Sequence, residues 1–133
     1  MKRTLVREHT FKILFRYDFH DKSEFDSQVE AYFGDEENLS IADLDKAEIV
    51  SRVNDCIEHI SEIDALISEK CKGWTIERIG KAELSILRLA VYELLFDELI
   101  DKAVAINEAV ELSKKFCDEK SHSFVNGVLA RIA

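Results

Sequence analysis

What most limits the fold of this chain is a shortage: 133 residues contain no proline and only four glycines, Gly34, Gly73, Gly80 and Gly127. A many-stranded sheet needs turn residues with special backbone angles at each hairpin, and proline and glycine are also the residues that interrupt helices. Their scarcity predicts an all-α chain. At this length one domain can bury about two-thirds of its unfolded surface without a metal or a disulfide, so residues 1–133 are expected to form a single compact domain. With 47% apolar and 34% charged residues, the chain falls among globular rather than disordered or fibrous proteins.

Several classes are excluded next. Apolar runs such as Leu84 to Leu87 and Ala103 to Ile106 are far shorter than the roughly 20 residues that cross a bilayer. Glu8, Lys12 and Arg16 interrupt any apolar signal region after Lys2, Arg3 and Arg7, so the expected location is cytoplasmic. Cys56, Cys71 and Cys117 are odd in number and far apart, with no histidine at ligand spacing. They read as reduced, mostly buried thiols, with neither a disulfide framework nor a metal site. No nucleophile constellation, phosphate-cradling glycine loop or cofactor motif is present, so no enzyme and no cofactor is expected.

The net charge of −9 argues at first against a nucleic-acid partner. Its distribution argues otherwise. Residues 1 to 20 carry five Lys/Arg against Glu8 and Asp18, residues 21 to 69 carry three against fifteen acids, and residues 70 to 133 balance ten against ten. Screening over about 8 to 10 Å lets a phosphate feel mainly its neighbours, so a basic end can serve RNA beside an acidic body.

Apolar spacing of three and four predicts six or seven helices with short connections. Residues 4 to 20 form an amphipathic helix with Val6, Thr10, Phe11, Ile13, Leu14, Phe15 and Tyr17 inward. Lys2, His9, Lys12, Arg16 and His20 face solvent. Arg3 and Arg7 project from the apolar side, where the helix overhangs the core, meets a partner, or frays as a basic terminus. Ser23 is expected to cap a short helix ending at Gly34, and Ile41 to Leu66 to form one long helix or two. Gly73 and Trp74 mark a turn within Cys71 to Thr75. Ile76 to Phe96 is apolar on most sides and therefore central. Asp101 or a neighbour starts the next helix, and Ser121 is expected to cap the last one, where Phe124, Val125, Val128, Leu129 and Ile132 repeat amphipathically.

Three blocks in this order, LRLAVYE (Leu87 to Glu93), AINEAVELSKKF (Ala105 to Phe116) and SFVNGVL (Ser123 to Leu129), resemble the NusB family. REHTFKILFRYDF (Arg7 to Phe19) is similar to that family's opening helix. The resemblance implies a seven-helix RNA-binding fold. It also implies transcription antitermination: with NusE, a small-subunit ribosomal protein, such a protein grips single-stranded boxA RNA of nascent ribosomal transcripts and joins the RNA polymerase antitermination complex. Asp101 stands where family members often have proline, and the N-terminus holds fewer arginines than many members carry.

On that resemblance Lys2, Arg3 and Arg7 are expected at phosphates, and Phe124 and Asn126 at bases or sugars, with Lys120 and His122 as neighbouring donors. Periodicity alone assigns Phe124 to the core with Val128; the SFVNG match moves it to the RNA-facing surface. Phe15 and Glu83 match positions of the NusE-facing surface, although a helix margin and a solvent-facing charge explain them equally. Arg88, Glu93 and Glu108 read as structural ion-pair members, and Gly127 as a site of close helix packing. A rival from another class is an RNA-independent interaction module or homodimer. A third, the NusB-like domain that opens some RNA methyltransferases, is disfavoured because Ala133 leaves no room for a catalytic domain.

Overall fold

A computed structural model describes every residue except Lys72 and Trp74, so the tryptophan expected in the turn before the central helix lies outside the described residues. Seven α-helices occur among the described residues: α1 (Arg3–Tyr17), α2 (Phe25–Gly34), α3 (Asp43–Glu58), α4 (Ile60–Lys70), α5 (Lys81–Phe96), α6 (Lys102–Phe116) and α7 (Ser121–Ile132). The all-α expectation holds. The backbone falls into two compact units, Met1–Asp55 and Cys56–Ala133, each described in turn.

In the first unit α1 packs against α2. Val6, Phe11, Ile13 and Leu14 on α1 and Phe25, Tyr32 and Phe33 on α2 are buried, as their spacing requires. Two members of the expected solvent stripe turn inward instead. His9 Nδ1 lies 2.5 Å from the Tyr32 hydroxyl, a hydrogen bond, and the Arg16 guanidinium covers the Tyr32 ring at 5.2 Å while pairing with Asp35 at 3.2 Å. Helix α2 is entered through a single 3-10 turn, Lys22–Glu24, so Ser23 sits inside that turn and supplies no cap.

The second unit is organised by α5, where the ten positions from Leu84 to Glu93 are all buried. It packs against α4, α6 and α7. The long apolar stretch before it divides at His59, where the backbone tightens (His59 N to Cys56 O, 3.2 Å) and the imidazole stacks on Phe96 with ring centres 4.0 Å apart. Helix α5 starts later than periodicity places it. Residues Ile76–Arg78 form a 3-10 turn and Ile79 is extended, which puts Gly80 at the N-cap.

Two contacts fix how α5 and α7 sit against α4. Arg88, only 5% exposed, forms two 2.8 Å hydrogen bonds with Asp64 of α4; this is the structural pairing expected of Arg88. Arg131 Nε donates to the Lys70 carbonyl at 2.9 Å, satisfying a group that the end of α4 would otherwise leave without a helical partner. Gly127 does not serve close packing: a Cβ there would meet only the Arg131 guanidinium at 3.8 Å, an ordinary contact.

Candidate functional site

Two helix starts open onto one cleft in the second unit. It has a volume of about 310 Å³ and is lined by Arg78, Ile79, Gly80, Glu83, Lys120, Ser121 and Phe124. Gly80 and Lys120 are the N-cap residues of α5 and α7, so first-turn N–H groups and the positive ends of two helix dipoles lie at its rim. The wall between them is largely apolar because Ile79 and the half-buried Phe124 ring provide it.

Local sequence builds each edge. At α7 the chain turns through Asp118–Ser121, with Ser121 N bonded to Asp118 O at 2.9 Å, and Lys120 takes helical angles. Ser121 is therefore the first helical residue and not a side-chain cap. A residue serving as N-cap has an extended backbone of its own, whereas Ser121 already lies within the helix. This entry leaves Lys120 exposed and turns Val125, Val128 and Leu129 fully inward, with Phe124 at the margin of that stripe. At α5 the Glu83 carboxylate folds back over Gly80, so that a Cβ at Gly80 would collide with it. A carboxylate in the first turn is favoured by the dipole. Burial first, then the neighbouring Glu83 carboxylate, push the Cys117 thiol up to about 12.

The structure thus brings together residues that the sequence assigned to separate tasks, with Lys120 and Phe124 on one side of the cleft and Glu83 on the other. On α7, His122 is half-buried, and Asn126 is exposed. In the first unit Lys2 and Arg3 are exposed, whereas Arg7 is buried, at 6%. Arg3 is ion-paired with Glu48, a surface pair of the kind that contributes at most about 1 kcal/mol and exchanges readily for another anion. Phe15 is half-buried and forms a ring ladder with Phe11 on one side and Phe19 on the other, centres 6.4 and 4.9 Å away.

Three features around these residues were not read from the sequence. Arg78 lies in the connection read as helical, and its place on the cleft follows from the late start of α5. Phe19, 56% exposed beyond the end of α1, was detectable as the third aromatic at spacing four after Phe11 and Phe15. The influence of the Glu83 carboxylate on the Cys117 thiol joins residues far apart in sequence and had no local signal. Among the described residues no group of three His, Cys, Asp or Glu side chains is arranged to hold a metal ion.

Comparison with known proteins places this geometry in a family. The chain is 47% identical over 133 residues to the transcription antitermination protein NusB of Agathobacter rectalis, covering 100% of both. The NusB structure from T. maritima superposes with a TM-score of 0.87 at 34% identity, over 100% of this chain and 91% of that one. A structure of antitermination factors NusB and NusE in complex with double-stranded RNA contains a chain that matches at a TM-score of 0.81 and 31% identity, covering 98% and 94%. Residues 4–133 match the model of the NusB family, and the chain belongs to that family.

Proposed function

We propose that the chain is a transcription antitermination factor that binds boxA-type RNA of nascent ribosomal transcripts together with NusE and so joins the RNA polymerase antitermination complex. It acts by binding, without catalysis or a cofactor, in the cytoplasm; no helix among the described residues is long and apolar enough to cross a membrane. The observation that carries this reading is the cleft: an aromatic face, Phe124, beside the exposed Lys120 at a helix N-terminus. RNA strands are held by that combination, with bases stacked on rings and phosphates at cations and backbone N–H groups.

In this reading Phe124 stacks a base, Lys120 and Arg78 meet phosphates, and His122 and Asn126 supply further donors to sugar or base edges. Lys2 and Arg3 add phosphate contacts from the start of α1, and Arg3 exchanges Glu48 for the RNA. Arg7, with little surface of its own, acts by holding that end of α1 in place. Phe15, extended by Phe19, and Glu83 face NusE.

Fluorescence anisotropy with labelled boxA RNA, single- and double-stranded, tests the site. Phe124→Ala should weaken binding by about 5- to 150-fold, the equivalent of one lost stack at about 1 to 3 kcal/mol. Affinity for the single strand should fall with salt at a log–log slope of about −0.7 per phosphate contacted. No binding of either RNA by the wild-type chain, even at low salt, would instead support the RNA-independent interaction module.

A further inference from the structure

The cleft occupies the start of α5; the other end of that 16-residue helix, about 24 Å away at 1.5 Å per residue, carries a second surface. Nine large apolar side chains are exposed among the described residues, and four of them, Leu95, Phe96, Leu99 and Val104, fall within ten residues at the α5–α6 connection. Such a concentration of exposed apolar area marks an interaction surface more than a scatter of single residues does. Leu99 is 98% exposed, yet it is not a loose tip. Its N–H donates to Asp97 Oδ1 at 3.1 Å, and the Ile100 N–H donates to the Asp97 carbonyl at 3.3 Å, an Asx turn that holds the leucine outward. The Phe96 ring is fixed by its stack on His59. Groups ordered beforehand lose little freedom when a partner covers them.

Charge decides which partner fits. Asp97, Glu98 and Asp101 are interleaved with the apolar residues, and Lys102 is the only cation from Leu95 to Val104. Exposed Glu58 and Glu62 lie one and three positions from His59. An acidic rim of this kind repels RNA phosphate and anionic lipid, and a second copy docked face to face would set the same acids against each other. A cationic protein segment is attracted. We propose that the α5–α6 turn is a docking surface for a basic amphipathic segment of another protein, whose apolar side covers Leu95, Phe96, Leu99 and Val104 while its Lys and Arg meet Glu98 and Asp101. The surface is separate from the cleft, and the inference stands without the RNA reading.

The test titrates the full chain with a synthetic amphipathic peptide, leucine on one side and lysine on the other, read by amide 1H–15N spectra. A scrambled peptide and one with glutamate in place of lysine serve as comparisons. Shifts should be confined to Leu95–Val104 and the neighbourhood of His59. Leu99→Ser, which changes no charge and removes no buried contact, should melt like wild type and bind the peptide about 10- to 100-fold more weakly, the equivalent of one leucine left uncovered. Glu98→Gln with Asp101→Asn should weaken binding and flatten its salt dependence. Phe124→Ala should bind the peptide as wild type does, and neither boxA RNA nor NusE should displace it. Equal binding of the scrambled or glutamate peptide, shifts centred elsewhere, or a Leu99→Ser chain that binds undiminished overturns the proposal and leaves the RNA site untouched. A wild-type dimer in analytical ultracentrifugation that Leu99→Ser abolishes also overturns it, assigning the face to a second copy.

Discussion

Arg88 lies in the LRLAVYE block yet touches neither the cleft nor solvent; its role is to fix the register of α5 against α4, and Asp64→Ala measures it. The guanidinium is 5% exposed and holds both Asp64 oxygens at 2.8 Å. Breaking a buried pair from one side costs about 3 to 5 kcal/mol. The Asp64 side chain retains 27% exposure, so water reaches the vacated position and the lower end applies, about 3 kcal/mol. With 133 residues and an unfolding entropy of about 2.1 cal/mol/K per residue, the transition entropy is about 0.28 kcal/mol/K, which converts the loss into a melting point about 10 °C lower. Circular dichroism at 222 nm reads the shift. Replacing both partners, Arg88→Met with Asp64→Leu, should recover much of it, because an apolar pair carries no stranded charge. A drop under about 3 °C for Asp64→Ala, or a double variant no more stable than the single, would refute the pairing as the source of the stability. Since α5 carries Gly80 and Glu83 at its start, loss of this register should also loosen the cleft.

Two further outcomes follow from burial and charge. His9 sits below its ordinary value of 6.5, first because burial disfavours its charged form and then through Lys12, with Glu8 and Glu37 opposing. The folded state therefore prefers the neutral ring: this contribution is fully present above pH 6.5 and is lost as pH falls through the lower folded value. Melting curves from pH 8 to pH 5 should decline less steeply for His9→Gln than for wild type, and parallel declines would remove His9 as a cause. Cys117, half-exposed but pushed up to about 12, should react with iodoacetamide far more slowly at pH 8 than an ordinary thiol near 9. Peptide mapping should show Glu83→Gln speeding that reaction, and equal rates in the two proteins would mean the Glu83 charge does not reach the thiol.

Sequence alone determined the fold class, the central helix and the family. Without proline and with few glycines the backbone has little alternative to helix, and apolar residues on most sides of Leu84 to Glu93 require burial wherever that helix lies. These are local properties, carried by composition and spacing within a few turns. The starts of the helices were not legible in the same way. Ser23 and Ser121 have the composition of caps, but each helix is entered through a preceding turn that moves the cap position, and Ile79 and Gly80 are extended where periodicity continued a helix. Tertiary structure also separated two arginines that look equivalent in sequence: Arg3 stays exposed beside Glu48, while Arg7 is buried. It alone set Glu83 opposite Lys120 and Phe124, because a cleft between two helix starts depends on how α5 and α7 are held against α4 by Arg88 and Arg131. Periodicity reports which side of a helix is apolar; which neighbours it meets is decided by long-range packing, and the proposed chemistry of this site lies in those neighbours.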